Sequence, residues 1–362
     1  MNKRNPSDVP EFADVLAGKF DLLPIELPEC PIFLVTAVPC GPDVTGSHLR
    51  MPAGRGLSRR AAMVSAAGES IELMHSLARN ADGSRAVFPK SAGPALVPMQ
   101  NLVNGATAMI AAQEIYLDWA AEFSEPLICE ADSSGCAAGR NFADTMERAL
   151  LECVERDACA AWWYGRQSRQ HVSLSVLRGA APRLMWWLET RARQTHLIDI
   201  RSDIDIAVLA AVSAEADGRA VAIGTAAGKT SQDAAVSAVT EMVQTELALQ
   251  AGRNPQNLEL ETWLGQASLK AMPQFSPLGL LQRLPDGSGR PMVQMLAERG
   301  FEVLGYQFVP DNGGLTTVRC LVPGFSAMHG RFNASRILQL GCQNPHYGAA
   351  TSAEAFETLE PY

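Results

Sequence analysis

One spacing recurs three times along this chain: a glycine, a glutamate thirteen positions later, then a Glu or Gln three further on. Gly56 leads to Glu69 and Glu72, Gly139 to Glu152 and Glu155, and Gly228 to Glu241 and Gln244. An alanine sits three residues before the first glutamate each time, at Ala66, Ala149 and Ala238. Residues three apart share a helix face, so each copy sets two acidic or amide groups side by side. Three such faces could build one acidic pocket. Carboxylates gathered beside glycine turns suit a magnesium ion and the phosphates it carries.

The competing reading is a set of solvated helix faces, the usual fate of charged side chains. Three copies at one spacing weigh against it. The second segment also puts Asp144, Glu152 and Glu155 on one helix face with only Arg148 among them. That face keeps an excess of like charge, which a bound cation would relieve. A separate phosphate signal fails: Gly224-Thr-Ala-Ala-Gly228-Lys229-Thr230 has three residues between its glycines, where a P-loop needs four.

At 362 residues the chain suits one large α/β domain or two smaller ones. Hydrophobic residues make up 47%, enough for a substantial core. The balance of 30 basic and 39 acidic residues, net −9, argues against a nucleic-acid surface. No run of apolar residues is long enough to read as a membrane span. The basic start Met1-Asn2-Lys3-Arg4 lacks the apolar core of a signal peptide. A cytoplasmic location is expected. The eight cysteines form no Cys-x-x-Cys and the six histidines no His-x-x-x-His, which disfavours a zinc site. Cys153 and Cys159 read as buried thiols.

The expected architecture is α/β, or α+β layered, because strands alternate with helices. Residues 1–44 read as an N-terminal arm, 45–345 as one catalytic domain and 346–362 as a tail. Strand-like runs are Pro31 to Val38, Ile204 to Val212, Phe301 to Phe308 and Thr316 to Val322, and Ala220 to Gly224 could pair with the second. Helices are expected from Ser58 to Ser76, Ala106 to Ala121, Phe142 to Trp163, Pro182 to Arg193 and Gln232 to Gln250. The Gly- and Pro-bearing stretch 80–105 reads as loops.

Several segments resemble the YcaO family. They are Gly54-Arg-Gly56 with Ser65, Glu69 and Glu72; Ser134-Gly-Cys-Ala-Ala-Gly139; and Ala149-Leu-Leu-Glu152-Cys-Val-Glu155-Arg156-Asp157-Ala158 with Trp162-Trp163. Ala238-Val-Thr-Glu241-x-x-Gln244 and Val322-Pro323-Gly324 complete the set, in the family's order, over about residues 45–340. The resemblance implies mixed sheets and helices around an acidic nucleotide and magnesium cavity. It implies an enzyme that uses ATP and Mg2+ to activate peptide backbone amides. Cys, Ser or Thr side chains then close azolines, the chemistry of thiazole/oxazole-modified ribosomal peptides such as bacteriocins. By the same resemblance Glu69, Glu72, Glu152 and Glu155 hold magnesium. Ser65, Asp144, Arg156, Glu241 and Gln244 contact the nucleotide or those ions, with Arg156 as the catalytic residue. Such a role is physically apt, because phosphoryl transfer depends on positioning and on neutralising developing charge.

Three departures stand out. Leu73 occupies a position usually held by Arg, Arg140 one often held by Asn, and the end Leu359-Glu-Pro-Tyr362 carries a single proline. The implied partners are a ribosomally made precursor peptide, a separate ThiF-like or leader-binding protein, and a flavin-dependent azoline dehydrogenase. Neither nucleic acid nor membrane is expected, and a homodimer is compatible with the chain. Two alternatives stay open: ATP-dependent thioamidation of the peptide backbone, and a catalytically idle scaffold subunit.

Overall fold

The computed structural model describes residues 13–40, 51–78, 94–129, 131–166, 168–252, 257–282, 284, 286–309, 315–328 and 332–343. The expected arm lies partly outside these residues, and the expected tail 346–362, with Tyr362, wholly so. The chain is mixed α/β, as its alternating pattern predicts. Its described residues divide into two compact units, one from 13–153 and 292–323, the other from 154–291, 324–328 and 332–343.

The first unit carries two antiparallel sheets. Phe20–Ile25, Phe33–Pro39 and Ala53–Gly56 pair in that order. Thr107–Ala111, Leu96–Asn101, Leu304–Val309, Thr316–Leu321 and Cys136–Gly139 form the second. Helix Arg59–Ser76 buries Ala62, Ala66, Ala67, Ile71 and Met74 against this framework. Gly54 permits the close approach: a Cβ there would fall on the backbone of Ala62 and Ala66.

The second unit has one sheet, in the order Ala222–Gly228, Ala207–Ala214, Gln194–Asp199, Arg169–Val172, Pro277–Leu281. Only its last pairing is parallel. Ala207–Ala214 is buried at every position, as a strand covered on both faces must be. Helix Ser231–Ala251 packs on it with Ala234, Ala235, Ala238, Val239 and Met242 buried. Gly224 is again the close-approach position, its missing Cβ pointing at the backbone of Ala238 and Met242. Helix Phe142–Tyr164 contains the boundary between the units, at Cys153 and Val154. Its last turns put Trp163 against Trp263 and Phe275, with ring centroids 5.9 and 6.0 Å away.

Three segments depart from expectation. Within the stretch read as loops, Leu96–Asn101 is a strand that alternates exposed and buried. Pro98 is tolerated there because Leu304–Val309 pairs with the strand only at Asn101 and Gln100, so no partner asks for its missing N–H. Ala106–Ala121 is not one helix but strand Thr107–Ala111 and short helices Ala112–Ile115 and Trp119–Phe123. Alanine and methionine favour a helix locally, but pairing with Leu96–Asn101 overrides them. Asp118, in the left-handed region at φ 59, separates the two short helices. Strand Phe20–Ile25 lies in residues read as an arm.

Buried histidines make stability pH-dependent. His171 is 8% exposed, with its ring 5.3 Å from that of His196. Burial, then the neighbouring His196, lowers its pKa to about 4. Burial and Lys19 do the same to His75. A His whose folded pKa is depressed stabilises fully above its ordinary value near 6.5, and that stability is lost as pH falls towards about 4. The chemical-denaturation midpoint is therefore expected to drop across this window. His171→Gln should flatten the slope; an unchanged slope in that variant would remove His171 from the account.

Candidate functional site

The repeated spacing is a strand-to-helix unit. Each repeated glycine is the last residue of a strand: Gly56 ends Ala53–Gly56, Gly139 ends Cys136–Gly139, and Gly228 ends Ala222–Gly228. Two residues on stands a helix cap. Ser58 accepts from the Ala61 N–H at 3.1 Å, Asn141 from the Asp144 N–H at 2.9 Å and Thr230 from the Asp233 N–H at 3.1 Å. These caps satisfy the orphan donors of the first turn. The alanines three before each glutamate, Ala66, Ala149 and Ala238, are fully buried. The first glutamate then falls eleven residues past the cap, roughly 16 Å along the helix. That is beyond the reach of the helix N-terminal dipole, so its charge needs another partner.

In the first unit, the second glutamate of the first motif reaches the strand of the next motif. Glu72 accepts from the Ala138 N–H at 2.8 Å, and Ala138 immediately precedes Gly139. Arg148 donates to the carbonyl of the same Ala138 at 2.6 Å. Glu152 accepts from the Gly135 N–H at 3.2 Å. Glu69 lies 4.0 Å from Arg55. Burial, then the charges of Glu152 and Glu69, pushes the Glu72 carboxyl up to about 8, against the pull of the Ala138 hydrogen bond and Arg148. Ser65 sits half-buried on the same helix.

In the second unit, Glu155 repeats the arrangement. It accepts from the Ala227 N–H at 3.2 Å and the Thr225 hydroxyl at 2.8 Å, and Ala227 immediately precedes Gly228. Arg156 lies 3.6 Å from the Glu155 carboxylate. Cys159 is buried among these groups. Burial pushes its thiol up to about 12, opposed by Arg156 and reinforced by Glu155 and Glu241. Cys153 and Cys159 are thus the buried thiols expected of them. Gln244 is half-buried one turn beyond Glu241.

Asp144 serves its own helix: it accepts from the Asn141 side chain at 2.7 Å and its N–H is capped by Asn141. Asn141 therefore caps this helix, and the preceding Arg140 is exposed. Leu73, where the family pattern has Arg, packs against the apolar cluster of Phe20, Ile71 and Met74. The Gly224–Thr230 segment is a strand end and a helix cap rather than a phosphate loop.

Among the described residues, no three His, Cys, Asp or Glu side chains are drawn together to hold a metal ion. The fit to magnesium is one of charge and donor type. Glu69, Glu72 and Glu152 are hard oxygen donors, the charges of Glu69 and Glu152 both disfavour ionised Glu72, and Mg2+ takes few carboxylates while keeping several waters.

Caps, glycines and carboxylates in this order define a mixed α/β protein with acid-bearing strand–helix repeats. Over residues 88–326 the chain matches the family model described as YcaO cyclodehydratase, ATP- and Mg2+-binding. The chain belongs to the YcaO family. A search of curated proteins returns no match. Solved structures share the fold. A heterocyclase in complex with substrate and cofactor is 19% identical at a TM-score of 0.77, covering 94% of this chain and 54% of that one. YcaO from Methanopyrus kandleri, bound with AMPPCP and Mg2+, is 20% identical at 0.63, covering 86% and 87%. The E. coli microcin synthetase McbBCD complex with pro-MccB17 bound is 13% identical at 0.66, covering 84% and 88%. The chain spans about half the length of the first of these, 54%. Among the described residues no helix is long and apolar enough to cross a membrane.

Proposed function

We propose that this chain uses ATP and Mg2+ to activate peptide backbone amides for azoline formation in a ribosomally made peptide. The observation that carries this reading is that Glu72 and Glu155 are each fixed by the N–H of the residue before a motif glycine, Ala138 and Ala227, in a chain that matches the YcaO family model. Glu69, Glu72, Glu152 and Glu155 are assigned to magnesium. Ser65, Asp144, Glu241 and Gln244 are assigned to the nucleotide or its ions. Arg156 is assigned to phosphate oxygens, where a guanidinium offers paired N–H donors. Bound ATP supplies the phosphoryl group that turns an amide oxygen into a leaving group.

The chain's residues divide the work. Glu72 and Glu155 each spend one oxygen on a strand N–H, which fixes the carboxylate before any ion arrives. Such preorganisation is what electrostatic catalysis requires. Membership of the YcaO family supports the ATP and Mg2+ assignment. A separate leader-binding partner, ThiF-like in character, is part of the reading, as is a flavin-dependent dehydrogenase acting afterwards; the multi-protein McbBCD complex is consistent with partners of some kind. We place the enzyme in the cytoplasm, where ribosomal precursors are made.

The test is ATP consumption and precursor mass with purified components. Low activity from the chain alone is expected, with a large gain when a leader-binding protein raises the local substrate concentration. Each azoline should cost the peptide about 18 Da, one water, as an activated amide carbonyl is attacked by a neighbouring side chain. A gain of about 16 Da would instead mean that sulfur had replaced oxygen by the same activation. No ATP turnover with any partner would leave the scaffold reading standing.

A further inference from the structure

Glu155 is bonded to Ala222–Gly228, the outer strand of the second unit's sheet, and its two oxygens are held separately. Oε2 accepts from the Ala227 N–H at 3.2 Å, and Oε1 accepts from the Thr225 hydroxyl at 2.8 Å. The first bond has a counterpart in the first unit, where Glu72 accepts from the Ala138 N–H. The second differs. Thr225 stands three residues before Gly228, and the residue three before Gly139 is Cys136, whose sulfur accepts from Arg319 at 3.0 Å.

Thr225 is 5% exposed, so its hydroxyl needs a partner. Most side-chain hydrogen bonds go to backbone or water. This one goes to a carboxylate 70 residues away in the chain. An ionised carboxylate only accepts, which commits the hydroxyl proton to Glu155 and leaves the Thr225 oxygen as an acceptor. The buried Cys159 thiol hydrogen-bonds to that hydroxyl, and burial keeps the thiol protonated. Cys159, Thr225 and Glu155 thus form a chain of donors running one way, which fixes the hydroxyl rotor. The Arg156 guanidinium lies 3.6 Å from the same Oε1. A hydroxyl and a cation therefore pull on one oxygen.

We propose that Thr225 is a positioning residue, whose hydroxyl holds Glu155 Oε1 in the orientation a magnesium ion requires and keeps that oxygen from turning onto Arg156. The inference rests on the assignment of Glu155 to magnesium and of Arg156 to phosphate made above. Groups that hydrogen-bond to a metal ligand set its orientation, and losing one weakens metal binding by about ten- to a hundredfold. A carboxylate has about four lone-pair sites, so a bond from the hydroxyl is compatible with a cation on the same group. Without the hydroxyl, a charge-assisted bond to Arg156 gains on Oε1 and diverts both side chains.

Titration calorimetry of the full chain with AMPPCP, at stepped Mg2+ concentrations, tests this. Thr225→Val and Thr225→Ala remove the hydroxyl, Thr225→Ser keeps it, and Glu155→Gln removes the charge; circular dichroism verifies folding. The Val and Ala variants should each raise the Mg2+ concentration for half-maximal nucleotide binding about tenfold, with binding restored at saturating Mg2+. The Ser variant should stay within about twofold of the parent. Glu155→Gln should lose the Mg2+ dependence. Valine fills the threonine volume and alanine does not, so a packing role would separate those two variants, whereas a lost hydroxyl moves both alike. Should Thr225→Val fail to fold, the Ala and Ser variants carry the comparison. A parent-like midpoint in Thr225→Ala beside a defective Glu155→Gln overturns the proposal and leaves the magnesium reading standing. Equal displacement in the Ser and Ala variants also overturns it. Parent-like Mg2+ dependence in Glu155→Gln, or none in the parent, overturns both.

Discussion

Glu152→Gln and Glu72→Gln are each expected to lower magnesium-dependent ATP turnover at least about a hundredfold while leaving the fold intact. The separation of the two outcomes rests on what each carboxylate does. Glu152 accepts from the Gly135 N–H, and Glu72 from the Ala138 N–H. An amide carbonyl accepts from the same N–H, so the strand ends stay braced. What Gln removes is the charge. In Glu72 that charge is already disfavoured by burial and by Glu152 and Glu69, so its loss should not destabilise the apo protein. Removing one of these carboxylates even relieves repulsion on the others. The measurement pairs ATP turnover with thermal unfolding in each variant. A Tm within about 2 °C of the parent with turnover lost is the expected result, since substitutions that keep packing stay within about 0.5 kcal/mol. Unfolding would make these glutamates structural. Parent-like turnover in both variants would show that they do not hold magnesium.

Much of this arrangement is legible in the sequence because spacing survives folding. The glycine-to-glutamate interval measures a fixed path: strand end, cap, and three turns of helix. Helices Arg59–Ser76, Phe142–Tyr164 and Ser231–Ala251 fall where their apolar periodicity puts them. The caps Ser58, Asn141 and Thr230, each two residues past a repeated glycine, carry a readable signal of their own that the glutamate spacing overshadows. Other features have no local signal. The helix expected across Ala106–Ala121 fails because strand pairing is decided by a partner, here Leu96–Asn101, and not by the propensity of Thr107–Ala111. The bond from Glu72 to Ala138 spans 66 residues, and that from Glu155 to Ala227 spans 72. Spacing tells which side chains share a helix face; it does not tell which backbone they will meet. The brace that Gln113 gives to the Pro126 and Ile128 backbone is invisible for a different reason, since a buried glutamine within an alanine-rich stretch looks like any polar residue until its amide is seen bonded on both sides.

Arg336→Ala is expected to destabilise the protein by about 3–5 kcal/mol, because it strands a buried carboxylate. Asp157 lies in the segment Glu155-Arg156-Asp157-Ala158, but it points away from the chemistry of its neighbours. It is fully buried, and Arg336 grips it with Nε at 3.2 Å and Nη2 at 2.8 Å. The same guanidinium also holds Asp203, through Nη1 at 3.1 Å and Nη2 at 2.5 Å. The Ser326 N–H adds a third donor to Asp157 at 2.9 Å. One arginine thereby ties helix Ala334–Gln343 to helix Phe142–Tyr164 and to the turn at Asp203. Burial pushes the Asp157 carboxyl up, and the bonds from Arg336 oppose it. Without Arg336 the group keeps one backbone donor, and the opposing force is gone. Asp157→Asn should cost less, since Arg336 keeps Asp203 and no buried charge is left alone. The decisive variant is the pair Asp157→Leu with Arg336→Met. A buried ion pair replaced by apolar side chains of similar size is often close to neutral, so the double variant should recover much of the loss. Denaturant unfolding of the parent, Asp157→Leu, Arg336→Met and the double variant measures this directly. Two single losses that simply add in the double variant would mean that the pair is not coupled, and that Arg336 stabilises through its packing against Phe325 instead, whose ring centroid lies 5.3 Å from the guanidinium carbon.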